Sequence, residues 1–301
     1  MPVNQGSLRT LEIETSNAYL RGLQAMTPSV YKRFTQIIKM NTKTIEAPIL
    51  SMIGPLREWI GPRLIETLSF NSYAITAKKY EKTVKIPREA VEDDNVGLYT
   101  SQLETLGRQT NALYDQQVVA KLQNGEVDLC YDKLSFFNAS HPTGQAVAGV
   151  AQTFSNLTGS GNPPWYMFDT TKDIMPMVLG DRTAPEYVQL WGIQEPRVFW
   201  FDEYISGVRV RCVADFGFPQ FAFKCKNALD ATNFENGLVG MASIKNAQGQ
   251  NMGIRPNLAI IPSVLEPAAK RLWGREKLAT GEDNINYKAI DYVVSPYLSN
   301  T

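Results

Sequence analysis

Residues 96–124 read VGLYTSQLETLGRQTNALYDQQVVAKLQN. Tyr99, Leu103, Leu106, Thr110, Leu113, Gln117 and Ala120 recur there at steps of three and four, the spacing of one helix face. Asp93-Asp94-Asn95 offer caps before the segment, and Asn124-Gly125 close it. About 25 residues at a 1.5 Å rise make a rod roughly 38 Å long. Its face is only moderately apolar, so the helix is expected to lie on a sheet with one side wet. Just upstream, Pro87 fits the first turn of a short helix carrying Arg88, Glu89 and Glu92.

Working toward the N-terminus, Phe70 to Ile86 alternates as strands do. Tyr73, Ile75 and Ala77 share one parity and Tyr80, Lys82, Val84 and Ile86 the other, with a break near Lys78-Lys79. Ile49 to Ile53 is an apolar run, followed by the turn pairs Gly54-Pro55 and Gly61-Pro62. Strands with charge on both faces predict a hairpin that projects or lies across a neighbour. Residues 1–45 are polar, with Leu8, Leu11, Ile13, Tyr19, Leu20 and Leu23 scattered before a break at Thr27-Pro28. A short helix over 17–25 is expected, on an arm too thin to fold alone.

Toward the C-terminus, residues 126–164 read as a long loop rich in small residues. The chain from Trp165 to Lys226 reads as strands, with alternation in Tyr187–Trp191, Val208–Val213 and Phe221–Cys225. A helix is expected over 229–245 and a buried strand over Ala259–Ile261. Another helix runs from Val264 to Leu272 with Ser263 as N-cap, and Tyr292–Val294 is a last strand. No internal repeat is visible. The fold class is α+β.

The chain has 301 residues with 30 basic and 30 acidic side chains. That balance excludes affinity built on bulk phosphate neutralisation. His141 is the one histidine, which excludes multi-histidine metal sites. Cys130, Cys212 and Cys225 form neither a disulfide framework nor a zinc knuckle, and read as buried or indifferent thiols. No segment approaches the ~20 apolar residues of a membrane span, and Met1 to Leu20 is not a signal peptide. Asn156-Leu157-Thr158 matches a glycosylation sequon but reads as a polar loop.

Phosphate-binding, nucleophile-elbow and H-E-x-x-H motifs are all missing. The acidic run Glu92-Asp93-Asp94 suits helix capping better than a divalent metal, which needs oxygens from separate segments. His141 beside Pro142 reads as structural or idle. No catalytic residue, cofactor or metal is expected. Arg57, Glu58, Arg63, Glu66, Lys78, Lys79, Glu81, Lys82 and Lys85 place both signs along one extended element. They describe either a solvated hairpin or a complementary surface that orients an identical neighbour.

Three stretches carry a family likeness: Gly54-Pro-Leu-Arg-Glu-Trp-Ile-Gly61, Tyr80-Glu-Lys-Thr-Val-Lys-Ile-Pro87 and Glu92-Asp-Asp-Asn-Val-Gly-Leu-Tyr99. The likeness continues through Cys130-Tyr131-Asp132, Phe136-Phe137, His141-Pro142, Pro256 to Ala269 and Val293-Val294-Ser295-Pro296-Tyr297-Leu298. The chain resembles the Mu-like phage major head subunit family (gpT-like). That resemblance implies a Hong Kong 97-like phage capsid fold. It implies an N-terminal arm at 1–45, an E-loop β-hairpin at 46–86 and a spine helix of the P-domain at 87–125. P-domain strands and connecting loops would follow at 126–227, and mainly A-domain at 228–301. Trp165 to Phe223, with Asp215-Phe216-Gly217, resembles the closing strands of such capsid proteins yet precedes Pro256–Leu272, so the segment order after residue 160 departs from the pattern.

The implied function is a major capsid protein that self-assembles into hexamers and pentamers of an icosahedral phage head around double-stranded DNA. Portal and a separate scaffolding protein are implied partners, with weak non-specific DNA contact, no membrane, and assembly in the host bacterial cytoplasm. The chain is not expected to be an enzyme. The expected inter-subunit contacts are Arg57, Glu58, Trp59, Arg63, Lys78, Lys79 and Lys82 in the hairpin, with Glu92, Asp93 and Asp94 at the spine-helix start as acceptors. Competing readings are a tail tube or decoration protein, and a carboxylate-dependent hydrolase. The first would lack the long helix, and the second would need a deep pocket with convergent acids.

Overall fold

The structure is a computed structural model that describes residues 5–25, 29–50, 70–93, 96–147, 150–192, 194–246, 249–278 and 280–299. In chain order the elements are α1 (Gln5–Gln24), β1 (Thr35–Lys39), β2 (Thr44–Leu50), β3 (Phe70–Thr76) and β4 (Lys78–Pro87). Next come α2 (Arg88–Glu92), α3 (Val96–Gln123), β5 (His141–Val147), β6 (Val150–Phe154), β7 (Leu157–Thr158) and β8 (Trp165–Phe168). The remainder are β9 (Met177–Leu190), α4 (Pro196–Phe201), β10 (Glu203–Phe216), β11 (Ala222–Cys225), α5 (Ala231–Ala242), β12 (Leu258–Pro262), α6 (Glu266–Leu272) and β13 (Asp291–Ser295).

Four strands form a sheet in the order β1-β9-β10-β4, with β10 antiparallel to both neighbours and β1 parallel to β9. The period of two sends Tyr204, Ser206, Val208, Val210 and Cys212 of β10 inward, and all five are buried. α3 packs on that face through Leu103, Leu106, Val118, Val119 and Leu122. Leu103, Leu106 and Thr110 are buried as the periodicity predicts, but Ala120 is exposed and the stripe turns onto Val118, Val119 and Leu122. The turn comes where Phe136 and Phe137 join the same core and cover a second side of the helix. After Gln123 the chain tightens into a 3-10 turn, Asn124–Glu126, rather than a left-handed cap. Gly125 is required there because a Cβ would lie 2.6 Å from Phe137 Cδ2. Gly125→Ala should lower stability by about 1–3 kcal/mol, seen as an earlier urea midpoint; an unchanged midpoint would show that Phe137 can yield.

The N-terminal expectation needs correction. The helix spans Gln5–Gln24, not only residues 17–25, and it lies on α3 of its own chain. Leu8, Thr15, Ala18 and Tyr19 are buried. Tyr19 stacks on Tyr187 of β9 at 4.2 Å, and Gln189 Nε2 donates to Thr15 Oγ1 at 2.7 Å. Downstream, the Tyr31 N–H donates to the buried carboxylate of Asp115 on α3 at 2.8 Å, which ties the entry of β1 to that helix.

The second correction concerns residues 70–86, expected as one hairpin. β3 pairs with β2, from Thr44↔Thr76 to Leu50↔Phe70, whereas β4 is an edge strand of the four-stranded sheet. Lys79, Glu81 and Lys85 fill its outer face, the wet face of an edge strand covered on one side, while Lys78 and Lys82 lie exposed on the α3 side. Ile75 and Ala77 seat the base of β2–β3 against Met40, Val178 and Val213. The loop expected over 126–164 contains the hairpin β5–β6. The expected N-cap Ser263 instead opens a 3-10 turn, Ser263–Leu265, ahead of α6, with no side-chain cap.

A five-stranded sheet, β13-β12-β8-β11-β7, divides two cores. Tyr166, Phe168, Ala222, Leu258 and Ile260 face the core under α3. Trp165, Met167, Phe223, Ala259 and Ile261 face the opposite core, with Phe234 of α5, Leu272 of α6 and Trp273 just beyond it. Burial on both sides explains strands that are apolar throughout rather than alternating. Residues 126–227 thus serve both sheets, because β9 and β10 are inserted between β8 and β11.

Candidate assembly surface

Arg57, Glu58, Trp59, Arg63 and Asp94 lie outside the described residues. Lys78, Lys79 and Lys82 all lie exposed on β4, but its alternation splits them between two faces. Lys78 and Lys82 share the α3 side with Tyr80, Val84 and Ile86. Lys82 there borders a groove of about 380 Å³ lined by Tyr80, Leu106, Leu113, Val208 and Val210. Lys79 stands on the other side, directly opposite Arg211. Like charges in register repel, and none of the three lysines has an ion pair among the described residues.

Glu92 and Asp93, expected as acceptors, sit past the far end of β4. Glu92 and Asp93 are exposed at the close of α2, and Arg88 joins that turn to the β9–β10 connection. Its guanidinium reaches Glu92 Oε1 at 3.1 Å and Asp202 Oδ1 at 3.5 Å. Glu203 takes Lys85 at 2.5 Å and Arg197 at 3.6 Å, and these cations hold its carboxyl below the ordinary range. Between them α4 carries Phe199, Trp200 and Phe201, exposed by 77%, 73% and 58%. Sequence reasoning missed this element. Its signal was an aromatic run at a strand connection, where polar turn residues are the norm.

The described residues whose ligand atoms converge are Cys130, Asp132 and His141, all within 4.8 Å of one another. Each is already engaged. Asp132 Oδ1 accepts from the Cys130 thiol at 2.9 Å and from the Leu134 N–H at 3.0 Å. Oδ2 meets His141 Nδ1 at 2.6 Å, while His141 Nε2 faces the Phe136 carbonyl at 3.1 Å and must donate to it. Burial raises the Asp132 carboxyl, but the bonds from His141, Cys130 and Leu134 outweigh that and hold it below its usual value. Burial and Asp132 push the Cys130 thiol up to about 12, so it stays a neutral donor. With His141 fully buried and stacked on Phe154, this is a structural clasp. Asn156 is likewise structural: it is fully buried and its amide donates to the Phe136 and Pro219 carbonyls, which removes it from glycosylation. No helix among the described residues is long and apolar enough to cross a membrane.

This arrangement has close relatives. The chain is 29% identical over 306 residues to the major capsid protein of Escherichia phage Mu, covering 99% of this chain and 100% of that protein. It is 32% identical over 267 residues to the Mu-like prophage FluMu major head subunit of Haemophilus influenzae, covering 87% and 86%. Among solved structures, a chain of the bacteriophage JBD30 procapsid superposes with a TM-score of 0.84 at 33% identity, covering 98% of this chain and 100% of that one. A chain of the JBD30 capsid gives 0.79 at 27% identity over 92% and 93%. The mixed helix-and-sheet fold is therefore that of these phage capsid proteins. The model of the Mu-like prophage major head subunit gpT matches residues 8–298. An end-to-end match of this kind leaves one conclusion: the chain belongs to the Mu-like prophage major head subunit gpT family, and is a structural protein of the phage head rather than an enzyme.

Proposed function

We propose that the chain assembles into hexamers and pentamers of an icosahedral head around double-stranded DNA, with a Hong Kong 97-like division of labour. In this reading the four-stranded sheet with α1 and α3 is the P-domain, and the five-stranded sheet with α5 and α6 is the A-domain. β2–β3 forms part of the E-loop. The observation that carries the reading is the end-to-end likeness to the JBD30 procapsid chain. The β2–β3 pair adds to it, since it hydrogen-bonds to no third strand among the described residues.

A portal and a separate scaffolding chain complete the proposed assembly in the bacterial cytoplasm. The equal count of 30 basic and 30 acidic side chains supports only weak contact with packaged DNA, which suits a genome that must slide during filling. Extended contacts of modest individual strength add up on a closed surface through multivalency and symmetry.

Negative-stain microscopy of the purified chain should show shells, sheets or tubes. Reversing both charges, with Arg57→Glu and Arg63→Glu, should reduce shell yield roughly tenfold, because like-charge contacts at an interface are costly. Normal yield would remove the hairpin charges from the lattice contacts while leaving the family assignment intact.

A further inference from the structure

The connection between β9 and β10 presents an aromatic knuckle whose exposure the fold itself does not require. Aromatic side chains carry about 150–250 Å² each, so Phe199, Trp200 and Phe201 together leave roughly 400 Å² of apolar surface in water. A patch of that order on a soluble chain marks an interaction site.

The frame beneath the patch is rigid. Val198 anchors α4 in the core. Asp202, at φ 53°, turns the chain, donates its N–H to the Val198 carbonyl at 3.0 Å and accepts the Arg88 N–H at 3.0 Å. The Arg197 guanidinium lies 4.2 Å from the Phe201 ring centre, and Phe199 meets Trp200 edge-on at 5.1 Å. The aromatics are thus presented outward, with little freedom left to lose on docking. Lys85, Arg88 and Arg197 flank them, paired with Glu92, Asp202 and Glu203. An aromatic centre inside a charged rim is the anatomy of a binding hot spot.

We propose that the Phe199–Trp200–Phe201 knuckle is a lattice contact whose occupant is a second copy of this chain. The rim supports a copy over a foreign partner because it carries both signs in balance and can complement itself across a symmetry axis. Area points the same way. Roughly 400 Å² from each side falls short of the ~1,200–2,000 Å² of a stable two-chain interface, so the contact suits one repeated around a shell. The inference rests on the reading of the chain as a shell subunit.

The test pairs assembly with footprinting. Trp200→Ala, and separately Phe199→Ser with Trp200→Ser, should leave the circular dichroism and thermal midpoint of the free subunit unchanged, since these side chains are exposed. Shell yield by sedimentation and negative stain should fall about tenfold or more, as for a central hot spot. In wild-type shells, hydroxyl-radical oxidation of the peptide holding residues 199–201 should slow about tenfold against dissociated subunits, because a docked centre excludes water. Full shell yield from the variants, or equal oxidation in both states, overturns the contact and leaves the shell reading standing. Protection seen only in heads carrying another protein overturns the second-copy occupant. A wild-type chain that forms no shells under any head-forming condition overturns the shell reading and this contact together.

Discussion

Replacing Asp132 with alanine is expected to cost the free subunit about 2–3 kcal/mol at neutral pH, the range for removing a charged acceptor from largely buried hydrogen-bonding partners. The carboxylate gathers the Cys130 thiol, the Leu134 N–H and His141 Nδ1, so its loss leaves all three without that partner. His141 also holds the Phe136 carbonyl, and Phe136 stacks on Phe216 of β10 at 4.3 Å, so the damage reaches the main core.

The effect has a pH signature. The folded-state pKa of Asp132 is depressed. Its contribution is therefore fully present above the unfolded carboxylate value, about 3.9, and fades as pH falls through the lower folded value. Asp115 and Asp215 act with the opposite sign, because burial raises their carboxyls. Subtracting the variant from the wild type cancels both. Urea unfolding should show a gap that is wide at neutral pH and narrows in acid. A gap below about 1 kcal/mol, the worth of one ordinary hydrogen bond, would reduce the clasp to a minor contact.

Gly107→Val is expected to lift α1 off α3, at about 3 kcal/mol for a forced overlap in a packed interface. A Cβ at Gly107 would lie 2.2 Å from the Tyr19 carbonyl oxygen and 2.6 Å from the Leu23 nitrogen; one at Gly22 would lie within 1.9 Å of the Glu104 carbonyl oxygen. All three obstacles are backbone, so no side-chain rotation relieves them. The two helices touch through their main chains, a closeness that glycine alone permits. Limited proteolysis should then cut within residues 5–24 of the variant while sparing the wild type. Gly97, in the same helix, meets nothing within 4 Å, so Gly97→Ala should leave α1 protected. Persisting protection in Gly107→Val would mean that the crossing can shift without coming apart.

How much of this was legible in the residues depended on whether the signal was local. The helix at 96–123 announced itself by period, and α2 by Pro87 and its charges. β9, β10 and β11 were visible as alternation. α1 was mostly hidden because its buried stripe includes Thr15, Ala18 and Gly22, which no hydrophobicity pattern marks as interior. β4 was recognised as a strand but given the wrong neighbour. Period two reports two faces, and a projecting hairpin and a sheet edge show the same alternation. The expected acceptors Glu92 and Asp93 lie exposed, while the aromatics beside them passed unnoticed as part of a β-like stretch.

Chain-local chemistry thus decided α2, α3, the strands β9, β10 and β11, the neutral charge balance and the family, since each is written in spacing and residue type along a single segment. Partnership was left to the folded molecule: β4 beside β10, α1 on its own α3, and Asp132 under His141 nine positions away. The physical reason is that a pairing is selected by the free energy of bringing two distant surfaces together. That quantity depends on shape and on what else competes for the same face, and neither is carried by either segment alone.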